Sequence, residues 1–386
     1  MAVGPPPGDP EALETRLSRV DGQAGELSIG GFRVEDMAPQ ATFEEAAFLL
    51  WHGRPPDLEE MGALRGRLAD ARGLPQGTRN VLEAAAATRL SVMDALRLGV
   101  DSLALSGAGE PVDVGMAERL VGVVPALIST YWRLTQGKEP LTAPGNLGSA
   151  EAYLHLLTGL RPSSAVVRGL ETYLNTVIDH GLNASTYTAR VIASTHSDML
   201  SSVVGALGAL KGPLHGGAPG PAIDMVFEIL ERSRASGRSL EAETVSWVRE
   251  KIEAGGRIMG FGHRVYKVRD PRADVLGAAA ESLYLGSPNE AFYRQAQAVE
   301  RVTLDVLEEL KPGRNLRTNV EFYTALVLHG VGLPAELFTP TFAVSRVAGW
   351  TAHILEQRQH GRLVRPLERY VGDVGRRWEP LQDRTG

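Results

Sequence analysis

The sequence predicts an all-α, two-domain protein that carries one small β-hairpin near its amino terminus. Apolar residues recur at three- and four-residue steps along most of the chain, which is the period of an amphipathic helix. Strand and helix patterns do not alternate, and this disfavours a doubly wound sheet or a barrel. Glycine and proline, 43 and 23 of the 386 residues, include clusters that separate the helical stretches and predict where they end.

The hairpin is the first element and the only clear strand signal. Leu27 and Ile29, and then Phe32 and Val34, form two short alternating runs on either side of Gly30-Gly31. Two glycines between such runs are typical of a hairpin with a primed turn, because its central residues need positive φ. We therefore expect a strand on each side of the glycine pair.

Helices follow the hairpin and make up most of the chain. The apolar periodicity predicts helices over 43–51, 166–178, 187–211, 240–254, 293–310 and 321–331. The breaks between them suggest a large helical domain over 1–217, a smaller one over 218–325, and a return to the large domain over 326–386.

Composition and charge exclude several classes of function. The formal net charge is −6, so the chain has no basic field with which to grip a nucleic acid. It contains no cysteine, which excludes disulfides, thiolate catalysis and Cys-ligated metals. No run approaches the roughly 18 apolar residues of a membrane span, and the amino terminus lacks a signal-peptide pattern. We expect a cytoplasmic protein that binds neither nucleic acid nor membrane.

Three histidines lie in glycine-containing breaks, where a ligand can approach the backbone. His215 stands in Gly-Pro-Leu-His-Gly-Gly, His263 follows Gly-Phe-Gly, and His180 precedes Gly181. Histidine there suits acid–base or hydrogen-bond chemistry near neutral pH, but His215 and His180 equally fit the end of a helix. The remaining histidines are expected to be structural or surface groups: His52, His155, His196, His329, His353 and His360.

The segment around His263 is typical of an anion-binding loop. Gly260 and Gly262 free backbone amides to face an anion, while Lys267 and Arg272 add positive charge. The third glycine and the preceding strand of a dinucleotide fingerprint are absent, so that interpretation is rejected. An acidic ligand is expected.

Other charged residues are ambiguous when taken singly. Glu321 opens a helix in Asn-Val-Glu, where an acid complements the helix dipole whatever its function. Arg346 and Arg365, considered alone, are expected to be surface charges. No pair of residues has the His-x-x-x-His or Glu-x-x-His spacing of a metal site, which favours metal-free catalysis.

Taken in order, these segments resemble the citrate synthase family, and the pair Gly-Pro-Leu-His-Gly-Gly and Gly-Phe-Gly-His-Arg-Val-Tyr is its most specific sign. The resemblance implies a helical homodimer of the compact bacterial type, active in the tricarboxylic acid cycle. Its two domains would close over oxaloacetate and create the acetyl-CoA site. It also implies no tightly bound cofactor, because the coenzyme A thioester is a co-substrate.

The resemblance assigns three catalytic roles. Glu321 matches the base that removes a methyl proton from acetyl-CoA, and His215 matches the donor that stabilises the enolate. His263 matches the histidine that polarises the ketone of oxaloacetate. A carboxylate base and a hydrogen-bond donor are what such a weak carbon acid requires.

Substrate-binding roles also follow from the resemblance. His180 matches an oxaloacetate ligand, and Arg272, Arg346 and Arg365 match carboxylate clamps, with Arg365 supplied by the other subunit. For coenzyme A, the candidates are the loop residues and basic side chains Gly260, Gly262, Lys267, Lys311 and Arg314.

One departure leaves alternatives open. The family usually has aspartate where this chain has Glu321, and the extra methylene lengthens the arm by ~1.5 Å. Either the local geometry compensates, or the protein has become a silent binder of acyl-CoA or dicarboxylate. A 2-methylcitrate synthase using propionyl-CoA shares the same motifs and is a further alternative, since one methyl group is worth only about 1–3 kcal/mol of discrimination.

Overall fold

The computed structural model describes residues 13–107, 111–217, 219–262, 266, 268–314, 316–367, 369–378 and 380–383. Helix dominates this part of the chain, which confirms the predicted all-α class. The α-helices are α1 (Val34–Met37), α2 (Phe43–His52), α3 (Leu58–Asp70), α4 (Gln76–Ala87), α5 (Val92–Asp101), α6 (Val114–Thr135), α7 (Ser149–Thr158), α8 (Ser164–Val177), α9 (Ala184–Ser194), α10 (Met199–Leu210), α11 (Pro219–Ser236), α12 (Leu240–Glu253), α13 (Pro271–Tyr284), α14 (Glu290–Leu310), α15 (Val320–Gly330) and α16 (Phe338–His360). Short 3-10 helices cover Ser102–Ser106, Ala335–Leu337 and Leu381–Asp383.

The predicted hairpin belongs to a three-stranded antiparallel sheet of order β1-β2-β3. Its strands are β1 (Ser18–Asp21), β2 (Glu26–Ile29) and β3 (Phe32–Arg33). Ile29 pairs with Phe32 across Gly30-Gly31, whose φ angles are +55° and +87°, so the turn prediction is confirmed. Two details differ from the prediction. Strand β1 has a single apolar residue and therefore no alternation to detect, and Val34 begins α1 instead of continuing the strand.

The predicted helix over 187–211 is wrong as a single element, because the chain breaks it into α9 and α10. His196 between them has a φ of +66°, a left-handed conformation that a continuous helix cannot contain. Asp198 then caps α10 by accepting a hydrogen bond from the Ser201 amide at 2.7 Å. The other predicted helices are confirmed, with ends displaced by at most a few residues.

Polar side chains define where most of the longer helices begin. Each accepts a hydrogen bond from a free amide of the first turn, which removes an unpaired donor at the helix start. These capping residues are Thr42, Asp57, Ser91, Asp113, Ser163, Asn183, Asp198, Ser239, Asp270 and Asn319. Two of them, Asn183 and Asn319, set the starts of the helices that carry Ser185 and Glu321.

Helix α16 is buried and contacts α2, α6, α8, α9 and α10. Its Gly349 allows a close approach to the end of α8, because a Cβ there would lie 2.3 Å from the carbonyl oxygen of Ile178. The fully buried indole of Trp350 fills the core beside this contact. The approach places Arg346, one turn earlier on α16, next to the end of α8.

Helices α11 to α15 make many of their contacts with one another, and α13 also touches α8. The predicted boundary at 217 falls between α10 and α11, whereas the one at 325 falls inside α15. The division into 1–217, 218–325 and 326–386 stays a prediction. Within the described residues, no helix has both the length and the apolar character that crossing a membrane requires.

Candidate active site

One cleft of about 760 Å³ collects most of the residues that the sequence analysis selected. Its lining includes His180, His215, Gly260, Gly262, Arg272, Lys311, Arg314, Glu321 and Arg346. His263 and Lys267 lie outside the described residues. Arg365 lies elsewhere, in a second cavity of about 900 Å³ formed by residues 13–16 and 360–366 with parts of α9 and α16.

Glu321 stands in the first turn of α15, where a capping residue holds the backbone. The Asn319 side chain accepts a hydrogen bond from the Glu321 amide at 2.9 Å and donates one to the Gly262 carbonyl at 2.8 Å. Burial raises the pKa of Glu321, and the charge of Asp270 adds to the increase, while Arg272 and the Asn319 side chain oppose it. A carboxylate with a raised pKa is a stronger base than an ordinary glutamate.

The glycine loop pairs with the segment that precedes α15. The Asn319 amide donates to the Gly260 carbonyl at 3.0 Å, and the Gly262 amide donates to the Arg317 carbonyl at 2.7 Å. Gly260 has a φ of +88°, and a Cβ there would lie 3.0 Å from the Phe322 side chain. Glycine is therefore required at this position both for its conformation and for the close approach. The pairing fixes the loop beside the start of the helix that carries Glu321.

His215 is held by a network on the start of α9. The hydroxyl of Ser185 has one hydrogen and two acceptors within reach, Asn183 Oδ1 and His215 Nε2, each at 2.8 Å. The indole N–H of Trp350 also points at this hydroxyl oxygen, at 3.1 Å, and occupies one of its lone pairs. When Ser185 donates to Nε2, the single N–H of a neutral imidazole is on Nδ1.

Electrostatics keep the His215 ring neutral. Burial, reinforced by the positive charge of Arg346, lowers the pKa of His215 to about 4. Near pH 7 the ring therefore carries one N–H and no charge. His215 can act as a neutral hydrogen-bond donor, and its environment does not favour an imidazolium.

Arg346 is 2% exposed, so the expectation of a surface charge from this residue considered alone is wrong. Its Nε donates to the Val177 carbonyl at 2.5 Å, and its guanidinium lies 4.7 Å from the centre of the Phe342 ring. Its Nη1 is buried and has no hydrogen-bond partner among the described residues. A buried guanidinium with an unused donor on a cleft wall is suited to an anionic ligand.

The buried carboxylate of Asp179 supports this arginine. Burial lowers the pKa of Arg346 to about 10, and the negative charge of Asp179 opposes the decrease. Asp179 accepts hydrogen bonds from Ser18 at 2.5 Å and from His353 Nε2 at 3.1 Å. The other ring nitrogen of His353 faces Nη1 of Arg190 at 3.2 Å and must accept, since an arginine can only donate. His353 is thus a buried structural group, as the sequence predicted.

The remaining polar wall of the cleft contains His180 and Arg272. Arg272 forms a two-pronged ion pair with Asp270, with Nε–Oδ1 at 3.0 Å and Nη2–Oδ2 at 2.8 Å. Its guanidinium lies 5.8 Å from the Tyr266 ring centre, and His180 Nε2 lies 3.1 Å from the Tyr266 hydroxyl. Arg272, Arg346 and His180 consequently line the same cleft as Glu321 and His215.

Comparison with known proteins identifies the family. The family described as "Citrate synthase, C-terminal domain" matches residues 9–367. The chain belongs to the citrate synthase family. It is 35% identical over 379 residues to the citrate synthase of Haloferax volcanii, covering 96% of each chain. It is 36% identical to the 2-methylcitrate synthase of Shewanella oneidensis, covering 97% of this chain and 96% of that one.

A solved structure shows the same fold. The citrate synthase of Thermoplasma acidophilum, in a ternary complex with carboxymethyl coenzyme A and oxaloacetate, has a TM-score of 0.85. It is 30% identical, and the match covers 96% of this chain and 97% of that one. Membership of the citrate synthase family, expected from the two histidine motifs, is confirmed.

Sequence reasoning missed several residues that hold the site of this citrate synthase family member. Ser185, Asp270 and Asn319 each hydrogen-bond to a residue selected from sequence. Asp179 acts on Arg346 through its charge. Each of the four could have been recognised from the sequence, because Asp179 directly precedes His180 and the other three residues lie at the starts of helices. Nothing in the local sequence indicates that Tyr266 contacts His180.

The outer end of the cleft is basic and open. Lys311 and Arg314 line it and are exposed, in the turn that follows α14. Arg257, which the sequence analysis did not select, lines it too, next to Gly255 and Gly256. Flexible cations at a cleft mouth suit the phosphate groups of a nucleotide-containing substrate.

Proposed function

We propose that the protein condenses acetyl-CoA with oxaloacetate and hydrolyses the citryl thioester, which makes it an acyltransferase of the tricarboxylic acid cycle. The observation that carries the proposal is the shared cleft, in which a partly buried carboxylate, a neutral histidine and two buried arginines meet. Family relatives named citrate synthase, and the one solved with oxaloacetate and a coenzyme A analogue, support these substrates.

In the proposed mechanism, the Glu321 carboxylate removes a proton from the methyl group of acetyl-CoA. The electron pair of the broken C–H bond forms the enolate, whose oxygen accepts a hydrogen bond from neutral His215. The enolate carbon then forms a bond to the ketone carbon of oxaloacetate, and the former ketone oxygen takes up a proton to become the hydroxyl group of citrate. By resemblance to the family, His263 polarises this ketone. Water cleaves the citryl thioester, releasing citrate and coenzyme A with its thiol.

The proposed oxaloacetate site uses His180, Arg272 and Arg346. The two guanidiniums neutralise the carboxylates, and Arg346 has a buried N–H that is suited to one of them. For coenzyme A we propose the mouth of the cleft, with Gly260, Gly262, Lys311 and Arg314 from the described residues, together with Lys267. No tightly bound cofactor is required by this chemistry, and the cytoplasm stays the predicted location.

The assay of this proposal follows free thiol released from coenzyme A in the presence of oxaloacetate, with acetyl-CoA and propionyl-CoA compared. We expect faster release with acetyl-CoA. Faster release with propionyl-CoA would make the protein a 2-methylcitrate synthase, which the 36% identity to such an enzyme favours as the second candidate. No release with either thioester would leave only a silent binder and would overturn the proposed function.

We further propose that the protein is a homodimer in which Arg365 completes the cleft of the other subunit. Arg365 is exposed and does not line the cleft of its own chain. The segment that follows α16 also exposes large apolar side chains, and its Trp378 is 86% exposed. Such apolar exposure marks a surface that another chain covers.

A hybrid dimer tests whether Arg365 acts across the interface. Arg365→Ala and Glu321→Gln are each expected to be nearly inactive alone. In a co-expressed hybrid, one cleft has Glu321 from one subunit and Arg365 from the other, so random pairing should restore about a quarter of wild-type activity. If Arg365 acts within its own chain, neither cleft of the hybrid is intact and no activity returns.

A further inference from the structure

Helix α14 carries a buried carboxylate, Glu300, that bonds to side chains on both sides of Glu321 in sequence. Glu300 is 8% exposed and lies outside the cleft lining. Its Oε1 accepts a hydrogen bond from the Thr318 hydroxyl at 2.5 Å, and its Oε2 accepts one from the Tyr323 hydroxyl at 2.8 Å. One carboxylate thus holds two buried hydroxyls that are five residues apart in sequence.

The two hydroxyls bracket the proposed base. Thr318 directly precedes Asn319, the residue that caps α15 and binds both the Glu321 amide and the Gly262 carbonyl. Tyr323 follows Glu321 by two residues. Fixing both ends of this short segment sets the position and direction of the first turn of α15.

Burying the carboxylate of Glu300 between two helices has a desolvation cost. Removing it from water is favourable only if its oxygens are well bonded, and apolar residues of similar volume often stabilise a fold as well. Burial, followed by the charge of Glu300, raises the pKa of Tyr323, so its hydroxyl remains a donor. The arrangement therefore gives a defined geometry at α15 and not simply stability.

We propose that Glu300 is a positioning residue that holds the start of α15 so that the longer side chain of Glu321 reaches the substrate methyl group. This inference deepens the proposed function and rests on it. The extra methylene of glutamate moves its carboxylate by ~1.5 Å relative to aspartate. A reacting group displaced by about 1 Å can lose on the order of 10²-fold in rate, so the backbone beneath it must be fixed.

Two substitutions test the role of the Glu300 hydrogen bonds with little change of side-chain volume. Tyr323→Phe removes one donor, and Glu300→Gln leaves an amide whose nitrogen cannot accept a hydrogen bond from a hydroxyl. We expect each to lower kcat by ~10- to 100-fold. The KM for oxaloacetate should stay within about twofold, because His180, Arg272 and Arg346 keep their contacts.

Tyr293→Phe is the matched control. Tyr293 is a buried tyrosine on α14, the helix of Glu300, but its hydroxyl donates to the Gly277 carbonyl at 3.4 Å. Removing the Tyr293 hydroxyl should leave kcat unchanged. In the Glu321→Gln background, Tyr323→Phe should lower kcat no further, because a residue that acts through the base has nothing left to position.

The proposal is overturned if Tyr323→Phe and Glu300→Gln retain wild-type kcat, if Tyr293→Phe lowers it equally, or if the effects multiply in the Glu321→Gln background. Amide hydrogen exchange at residues 319–322 provides a readout that does not depend on activity. It should accelerate in Tyr323→Phe and Glu300→Gln but not in Tyr293→Phe. If the wild-type protein releases no thiol, the proposed function fails. Unchanged amide exchange in Tyr323→Phe and Glu300→Gln would separately overturn the positioning role of Glu300.

Discussion

Replacing Glu321 with glutamine is expected to lower kcat for thiol release from acetyl-CoA by at least about 10²-fold, the usual contribution of a general base. Glutamine keeps the length of the side chain and one acceptor oxygen, but its amide cannot take up the methyl proton. The measurement is steady-state thiol release at saturating oxaloacetate and acetyl-CoA. Full activity in the glutamine variant would mean that another group is the base.

The control for this variant is oxaloacetate binding. Oxaloacetate should raise the thermal midpoint of Glu321→Gln as much as that of the wild-type protein, because its proposed ligands His180, Arg272 and Arg346 are unchanged. A variant that neither turns over nor binds would have lost the site as a whole. The loss could not then be assigned to the missing base.

The pH dependence of kcat/KM gives the same test without a change of sequence. The base works in its ionised form, so kcat/KM rises as the pH increases through the pKa of Glu321 in the free enzyme. Burial and Asp270 raise that pKa despite the opposing charge of Arg272, so the acidic limb should lie above the range of an ordinary glutamate. The limb should disappear from the residual activity of Glu321→Gln.

Aspartate at position 321 is expected to be worse than glutamate, although it is the residue that the family usually has. The start of α15 is fixed by Asn319 and by the pairing with Gly260 and Gly262, so the backbone cannot simply advance. A carboxylate withdrawn by ~1.5 Å should lose on the order of 10²-fold in kcat. Wild-type activity in Glu321→Asp would show that the backbone position at the start of α15 does not require the longer side chain of glutamate.

Local patterns were sufficient to predict the helical class and the β2–β3 turn. Periodicity and paired glycines act within a few residues, so they are legible in a single sequence. The break at His196 was not predictable, because a histidine with positive φ has no compositional signature. Strand β1 was missed for a related reason, since it depends on pairing with β2 and not on its own apolar pattern.

The candidate site shows the same division between local and long-range information. The glycine-flanked histidines were visible because flexible breaks between helices have a clear composition. Arg346 looked like a surface charge, since nothing near it in sequence reveals that Gly349 brings α16 against the end of α8. Contacts such as His180 with Tyr266 join residues 86 positions apart and arise only from the tertiary fold.

Replacing Arg346 with methionine is expected to weaken oxaloacetate binding by at least about 30-fold, which corresponds to roughly 2 kcal/mol or more for a buried charged contact. Its buried Nη1 has no partner among the described residues and is suited to a carboxylate oxygen. The measurement is the dissociation constant by calorimetry, with the KM for oxaloacetate from thiol release beside it. Unchanged binding would remove Arg346 from the proposed clamp.

The same substitution should destabilise the substrate-free protein less than the loss of a fully bonded buried arginine. A buried guanidinium whose hydrogen bonds are incomplete carries a desolvation cost, which partly offsets the attraction to Asp179 that methionine removes. Arg190→Met is the matched control, because Arg190 is equally buried but bonded to Glu356 and Gln357. It should lower the thermal midpoint, because its loss leaves Glu356 and His353 without this hydrogen-bond partner. If Arg346→Met lowered the thermal midpoint as much as Arg190→Met, Arg346 would be a structural residue. A residue that binds substrate completes its contacts only when the substrate is present, so its loss should cost the substrate-free protein less.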